Sequence, residues 1–358
     1  MTRTGSDSAR AGAPGSRGSA FLSGGRALFA SEEEKYIAAE LDRGLERIET
    51  ELFAELHFAD DVADTVSRYL LSAGGKRVRP LLTLLTSQWG EGVTDNVVTS
   101  AQVIELTHLA TLYHDDVMDE AVQRRGVTAA QKVWTNSVAI LAGDLLFARA
   151  GSMGVKLGTE AMARQTEVFE RLVLGQMRET VGPKVDEDPI AHYIDVLADK
   201  TGSLIALAGE FGITMSNAPV EYVEPIREFG ERIGIAFQLV DDVIDLASSG
   251  KDSGKIPGTD IRRGVTTLPM LYLEQRAADS ADDAELLSRL KAVSHGSVEA
   301  SEVDGLIAAL RDHDVTAATM DEARRIADEA KEYLGGVPNG AVKDALVRFA
   351  DQVVKRNT

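Results

Sequence analysis

From Ser31 onward, apolar residues recur at intervals of three and four, the period of a helix packed on one face, and no strand-like alternation persists anywhere. Ser31-Glu-Glu-Glu is a helix start with acids in its first turn, and Tyr36, Ile37, Leu41, Leu45, Ile48, Leu52 and Leu56 continue it. Asp60 to Leu71 predicts a short second helix that stops at Ala73-Gly74-Gly75, and Leu81 to Trp89 predicts a third. A long helix begins near Thr94-Asp95 and carries Val98, Ala101, Ile104 and Leu109 to Asp115. Further helices are predicted over Ser137 to Ala150, over Thr159 to Val181, from Pro189 to Lys200-Thr201-Gly202, and from the Pro219/Pro225 region to Asp245. Past Thr267, with Pro269 in a first turn, short amphipathic helices run through Leu306, Ile326, Leu334 and Leu346 to Val354. The expected organisation is all-α: a disordered tail rich in Gly, Ser, Ala and Arg over residues 1–30, then one helical domain over 31–358.

Composition narrows the chemistry. A formal net charge of −19 argues against a nucleic-acid partner, because a phosphate backbone calls for a basic stripe, and it requires an anionic substrate to be met by local cations or metals. The chain has no cysteine, which excludes disulfides, thiolate zinc sites and cysteine nucleophiles, and its six scattered histidines form no metal pattern. No uninterrupted apolar stretch reaches the roughly 18 residues of a membrane span, so a soluble, cytoplasmic protein without a span is expected. The tail has no apolar core of a secretory signal; it faintly resembles an organelle transit peptide, and a tail without an address is the plainer reading.

Two acidic triplets stand out. Asp115, Asp116 and Asp119 end the long apolar helix, and Asp241, Asp242 and Asp245 repeat the spacing at the end of another. One turn separates Asp115 from Asp119, so both project from one face, where like charges repel unless something positive sits between them. Alone, such a triplet reads as a solvated helix end. Two copies make an oxygen-rich site for Mg²⁺, an ion usually completed by substrate phosphates. Candidate phosphate clamps accompany them: Lys76, Arg77 and Arg79 before a helix, or else a solvated turn; Arg124 and Arg125 soon after the first triplet; and Lys200-Thr201, or else a snorkelling lysine. The glycine-rich stretch from Ser248 to Asp260, with Lys251 and Lys255, reads as a functional loop, though neither it nor Gly75–Arg79 has Walker spacing. The acids between Gly182 and Pro189 read as solvated.

Together, Gly75-Lys76-x-x-Arg79-Pro80, His108, Asp115-Asp116-x-x-Asp119, Arg124-Arg125-Gly126, Lys200-Thr201, Gln238, Asp241-Asp242-x-x-Asp245 and Gly254-Lys255 resemble the all-trans polyprenyl diphosphate synthase family over about residues 35 to 280. The octaprenyl- and nonaprenyl-like members are the nearest in kind. The resemblance implies an isoprenoid synthase fold, roughly a dozen helices around a deep central cavity, and a homodimer. It implies Mg²⁺ held by Asp115, Asp119 and Asp241, with Asp116, Asp242 and Asp245 in support. It assigns isopentenyl diphosphate to Lys76, Arg79, His108 and Arg125. Arg124, Lys200, Thr201, Gln238 and Lys255 would take the allylic diphosphate, farnesyl or geranylgeranyl. One departure is Val265, where the family often has a lysine; Arg262 or Arg263 could compensate.

Along the helix that leads to Asp115, the small residues Thr111, Ala110 and Thr107 would not block a growing chain, so a product beyond C20, about C30 to C50, is expected as a quinone side-chain precursor. Alternatives are a geranylgeranyl or farnesyl diphosphate synthase, whose cavity floor would differ, and a partner-dependent subunit of a heteromeric synthase.

Overall fold

A computed structural model describes residues 31–247 and 257–356 of the chain. The expected tail over 1–30, together with Lys251, Gly254 and Lys255, lies outside the described residues.

The first helix, α1 (Glu32–Glu55), starts on a capping box in which the Ser31 hydroxyl accepts from the Glu34 backbone N–H and the Glu34 carboxylate accepts from Ser31 N–H. Its stripe of Ile37, Leu41, Ile48 and Leu52 is buried. Next come α2 (Asp61–Ser72), capped by Asp60, and α3 (Val78–Thr86). α4 (Asp95–Met118) begins on Thr94 and is buried on nearly every face from Val97 to Ala110, as a helix apolar all round must be. Tyr113 ties it to α2: its hydroxyl donates to the carbonyl of Val66 and accepts from Leu70 N–H at 3.2 Å.

A two-stranded hairpin, β1 (Gln123–Arg124) and β2 (Val127–Thr128), follows α4, where the periodicity predicts no strand. Its cause is local. Arg125 (φ 54°) and Gly126 (φ 78°) both take positive φ, the conformation of a two-residue hairpin turn. Beyond lie α5 (Ala130–Val133), α6 (Asn136–Gly154) and α7 (Thr159–Val181). α8 (Pro189–Leu197) runs through a π turn, Ala198–Gly202, into α9 (Ser203–Met215).

α10 (Val223–Ala247) carries the second acidic triplet, and α11 (Thr259–Arg263), α12 (Leu268–Arg276), α13 (Ala281–Val293), α14 (Ala300–Arg311), α15 (Asp314–Tyr333) and α16 (Ala341–Lys355) complete the chain. α4 packs on α6, α9 packs on α10, α3 and α4, and α10 packs on α15. The main core joins these helices, and a second apolar cluster under α11–α14 gathers Ile261, Leu273, Leu290, Leu306 and Leu310, with Tyr272 against both. The all-α expectation is met.

One helix adds to the picture of apolar stretches. The helical stretch Asn136–Leu157 is long and apolar enough to cross a membrane by length and composition, with a mean hydropathy of 1.5. Counting uninterrupted apolar runs missed it, because Gly143, Asp144 and Arg149 interrupt the run without lowering its average enough. In this fold the stretch packs against α4, with 39% of its apolar window buried.

Close helix contact fixes the centre. Thr83 and Thr86 of α3 donate to the carbonyls of Ala208 (2.9 Å) and Gly209 (3.0 Å) on α9. A Cβ on Gly212 would collide with the Thr86 hydroxyl and the Thr83 carbonyl. Gly212→Ala should therefore destabilise the protein by about 1–3 kcal/mol, the cost of overpacking a close crossing, read as a lower denaturation midpoint in urea.

Candidate active site

α4 carries a cationic pole near its middle. The Arg77 backbone takes a left-handed conformation (φ 49°), which turns its side chain inward. It is only 7% exposed, donating from Nε to Glu49 at 2.7 Å and from Nη1 to Glu105 at 2.8 Å. Burial alone would lower its pKa, but Glu105 and Glu49 hold it above the usual value. Arg125 sits beside it, donating to the carbonyls of Leu70 (3.2 Å) and Gly74, with Glu105 at 3.8 Å. Arg79, half-buried, is pulled down to about 10 by burial, with Arg125 adding and Glu105 opposing. His108, one turn along α4 from Glu105, is held neutral: burial lowers its pKa well below the usual range, and Arg79 and Arg125 lower it further. The cations outnumber the acids at this end, and the Arg79 Nε is buried without a partner.

The other end of α4 is acidic. Asp116 is fully buried and clamps Arg124, whose Nε and Nη2 approach Oδ1 at 2.7 and 2.5 Å. Gln131 donates to the carbonyls of Asp116 (2.6 Å) and Ala121 (2.8 Å), which fixes the hairpin on the helix end. Asp115 and Asp119 face elsewhere. Burial pushes Asp115 up to about 6; Lys200 opposes the rise and Asp119 adds to it. Lys200 extends from the π turn between α8 and α9 and donates to Glu179 of α7 at 2.6 Å. Thr201 beside it is buried.

α10 supplies the second wall. Asp242 is buried and accepts from the Tyr193 hydroxyl at 2.6 Å and from the Leu268 N–H, and burial raises its pKa well above the usual range. Asp245 accepts from the Asp260 N–H at 3.1 Å, docking α11 on the triplet. Asp260 is pushed up to about 6 by burial and Asp245, with Asp119 and Glu179 adding to the rise, so these acids from four helices share one space. Asp241 pairs with Arg356 at 2.8 Å, and that guanidinium lies 4.0 Å from the Phe237 ring centre. Gln238 is half-buried on the same helix. Arg262 turns away to Asp304 at 2.5 Å, while Arg263 lies within electrostatic reach of Asp116 and Asp260.

Two acid-ended helices facing one another, with arginines and a lysine between and beside them, form a site for a polyanion and a cation together. The Polyprenyl synthetase family profile matches residues 60–304. The chain belongs to this family. It is 43% identical over 323 residues to a nonaprenyl diphosphate synthase of Mycobacterium tuberculosis, covering 89% of this chain and 94% of that protein. It is also 37% identical over 318 residues to a dimethylallyltranstransferase of the same organism, covering 88% and 95%. Among solved structures, a geranylgeranyl pyrophosphate synthase from Corynebacterium glutamicum, complexed with calcium and isoprenyl diphosphate, matches with a TM-score of 0.78 at 41% identity, covering 92% of this chain and 98% of that one. The chain thus has the isoprenoid synthase fold and is a prenyltransferase.

In this polyprenyl synthetase the sequence motifs separate into two kinds of residue. Arg79, His108 and Arg125 lie within electrostatic reach of one another on one side, with Lys76 exposed on the approach to α3. Asp115, Asp119 and Lys200 form a second group, Asp245 reaches it through Asp260, and Asp241 pairs with Arg356. Asp116 and Asp242 are buried, Asp116 against Arg124 and Asp242 against Tyr193. Asp115 and Asp260, both raised to about 6, carry charge that their surroundings do not neutralise, and a hard divalent cation would relieve it. Among the described residues no three His, Asp or Glu side chains converge on one point, so protein oxygens alone form no closed cage there. Periodicity missed Glu105, Glu179, Tyr193, Asp260 and Arg356, because each is single in sequence and meets its partner only across helices. Glu187, expected to be solvated, sits 3.2 Å from His192 and 3.5 Å from Arg178.

Arg77 binds no opening; it is the buried counter-charge to Glu105. Arg77→Ala should cost about 3 kcal/mol by taking the 2.8 Å partner from buried Glu105 and leaving it only Arg125 at 3.8 Å, and thermal unfolding would reveal the loss.

Proposed function

We propose that this synthetase condenses isopentenyl diphosphate with an allylic diphosphate, farnesyl or geranylgeranyl, to give a long all-trans polyprenyl diphosphate. The observation that carries the reading is that Lys200, paired with Glu179, lies within electrostatic reach of Asp115 and Asp119 at one end of α4, with a separate arginine cluster around Glu105 and His108 further along the same helix. One helix then serves two anionic substrates.

In this reading, Lys76, Arg79, His108 and Arg125 bind isopentenyl diphosphate. Neutral His108 donates a hydrogen bond without adding charge. Arg124, Lys200, Thr201, Gln238 and Lys255 grip the allylic diphosphate, and Arg263 adds charge beside Val265. Asp115, Asp119 and Asp241 hold Mg²⁺, Asp245 faces them from α10, and Asp116 acts through Arg124. Mg²⁺ held by these carboxylates would supply positive charge that stabilises a leaving diphosphate. The cations stabilise that leaving charge, so the allylic C–O bond ionises. The isopentenyl double bond attacks the carbocation, a C–C bond forms, and the proton then lost passes to the released diphosphate. No protein nucleophile takes part.

A homodimer is supported by the exposed apolar residues Met118 and Val122, at and just past the end of α4, and Ile140 and Leu141 of α6, side chains that a second copy would cover. Product length is read from α4. Thr107 and Ala110 are buried, Thr111 is half-buried, and none is bulky. With no bulky side chain at these three positions, the reading is a product of about C30 to C50, a quinone side-chain precursor. The similarity to the Corynebacterium enzyme favours the second reading, a C20 product.

Incorporation of labelled isopentenyl diphosphate by the purified chain with Mg²⁺ tests the reading. Incorporation with products above C20 is expected; products that stop at C20 select the second reading, and no incorporation with any allylic primer overturns both. Asp115→Asn should lower kcat by a factor of about 100 or more by removing charge at the ionising bond. Ala110→Phe should shorten the longest product seen by chromatography, and an unchanged length would remove α4 as the ruler.

A further inference from the structure

Lys200 is carried on a single π turn, Ala198–Gly202, and the contacts around that turn hold it more tightly than its own sequence requires. On the α7 side lies Gly175: a Cβ there would come 2.8 Å from the Asp199 Cβ and 3.0 Å from the Lys200 backbone nitrogen. On the α10 side lies Gly234, where a Cβ would come 2.5 Å from the Gly202 Cα and 2.9 Å from its nitrogen. Backbone meets backbone on both sides, leaving no space for the turn to shift.

The neighbouring Asp199 is held by charge as well. Its Oδ1 accepts from Arg171 Nε at 2.6 Å and its Oδ2 from Arg178 Nη1 at 3.1 Å, both arginines belonging to α7. Arg171 also pairs with Glu231 of α10, so one guanidinium spans the two helices that flank the turn. Ser203 Oγ donates to the Asp199 carbonyl at 2.6 Å. Further along the same face of α7, Glu179 takes the Lys200 ammonium.

A π turn holds one residue more than an α turn, so relaxing it to α-helix would rotate α8 by about 100° relative to α9 and turn Lys200, midway through it, by about half of that. That rotation would carry the ammonium away from Asp115 and Asp119. The geometry points to Asp199 as a positioning residue for Lys200: anchored by Arg171 and Arg178, it holds the π turn so that the lysine faces the allylic diphosphate. The inference rests on the reading of Lys200 as a diphosphate ligand given above.

The test compares Asp199→Asn, Lys200→Ala and the double variant in the full-length chain. It measures kcat, KM for each substrate, and calorimetric binding of inorganic diphosphate with Mg²⁺. Asp199→Asn should raise the allylic KM and weaken diphosphate binding about tenfold, the scale of a misplaced contact group, with the isopentenyl KM within about twofold. In the Lys200→Ala background the same substitution should add nothing, because a residue that acts through Lys200 has nothing left to position. Asp199→Glu should restore much of the binding. Additive losses in the double variant, an equal rise in both KM values, or no change would overturn the inference. Should Asp199→Asn fail to fold, Gly175→Ala presses a Cβ on the same turn and is read by the same measurements against the same outcomes. If the wild-type chain incorporates no isopentenyl units, the assigned reaction fails, while diphosphate calorimetry still reports whether Asp199 and Lys200 are coupled.

Discussion

A charge inside an apolar helical bundle must be paired, or its burial costs several kcal/mol, and α4 is where this protein meets that requirement. The helix is buried for most of its length, yet it carries Glu105 and His108 near its middle and three aspartates at its end. Glu105 is answered by Arg77 and Asp116 by Arg124. Ten residues separate Glu105 from Asp115, roughly 15 Å at the helical rise, enough to keep a cation-rich end and an acid-rich end apart on one rigid rod. In the reading proposed above, that separation is what lets one helix address two anionic molecules.

The same requirement divides each motif. In Lys76-Arg77-Val78-Arg79 the inner arginine is buried and paired, while Lys76 is exposed and Arg79 half-buried. Asp116 in the first triplet and Asp242 in the second are likewise turned into the protein, one against Arg124 and the other against Tyr193. Adjacent residues on a helix point about 100° apart, so a pair of neighbouring aspartates cannot share one face. In each pair the second member is buried against a partner, and the first, Asp115 or Asp241, faces a different side of the helix.

Placement also depends on small residues. Gly212 lets α9 approach α3, and Gly175 and Gly234 let α7 and α10 close on the π turn that presents Lys200. The hairpin after α4 does similar work: positive φ at Arg125 and Gly126 turns the chain, so that Arg124 and Arg125 reach opposite ends of the site from adjacent positions. Close backbone contact sets these positions, and side-chain charge then holds them.

The sequence by itself determined the helices and the chemistry. Apolar spacing located α1, α4, α7 and α10 to within a residue or a few at their marked ends, because a buried helical face repeats along the chain. Spaced aspartates and clustered cations likewise marked the family to which the chain belongs. What only the tertiary structure decided is which member of each motif is buried and which single residues complete the site. Glu105, Glu179, Asp260 and Arg356 belong to no local pattern, since their partners lie on other helices. The hairpin and the π turn were equally hidden: each is a shift of one or two residues in backbone register, and hydrophobic periodicity averages over longer windows than that. Periodicity reports which face of a helix is buried; which charge lies opposite is decided only when the helices pack.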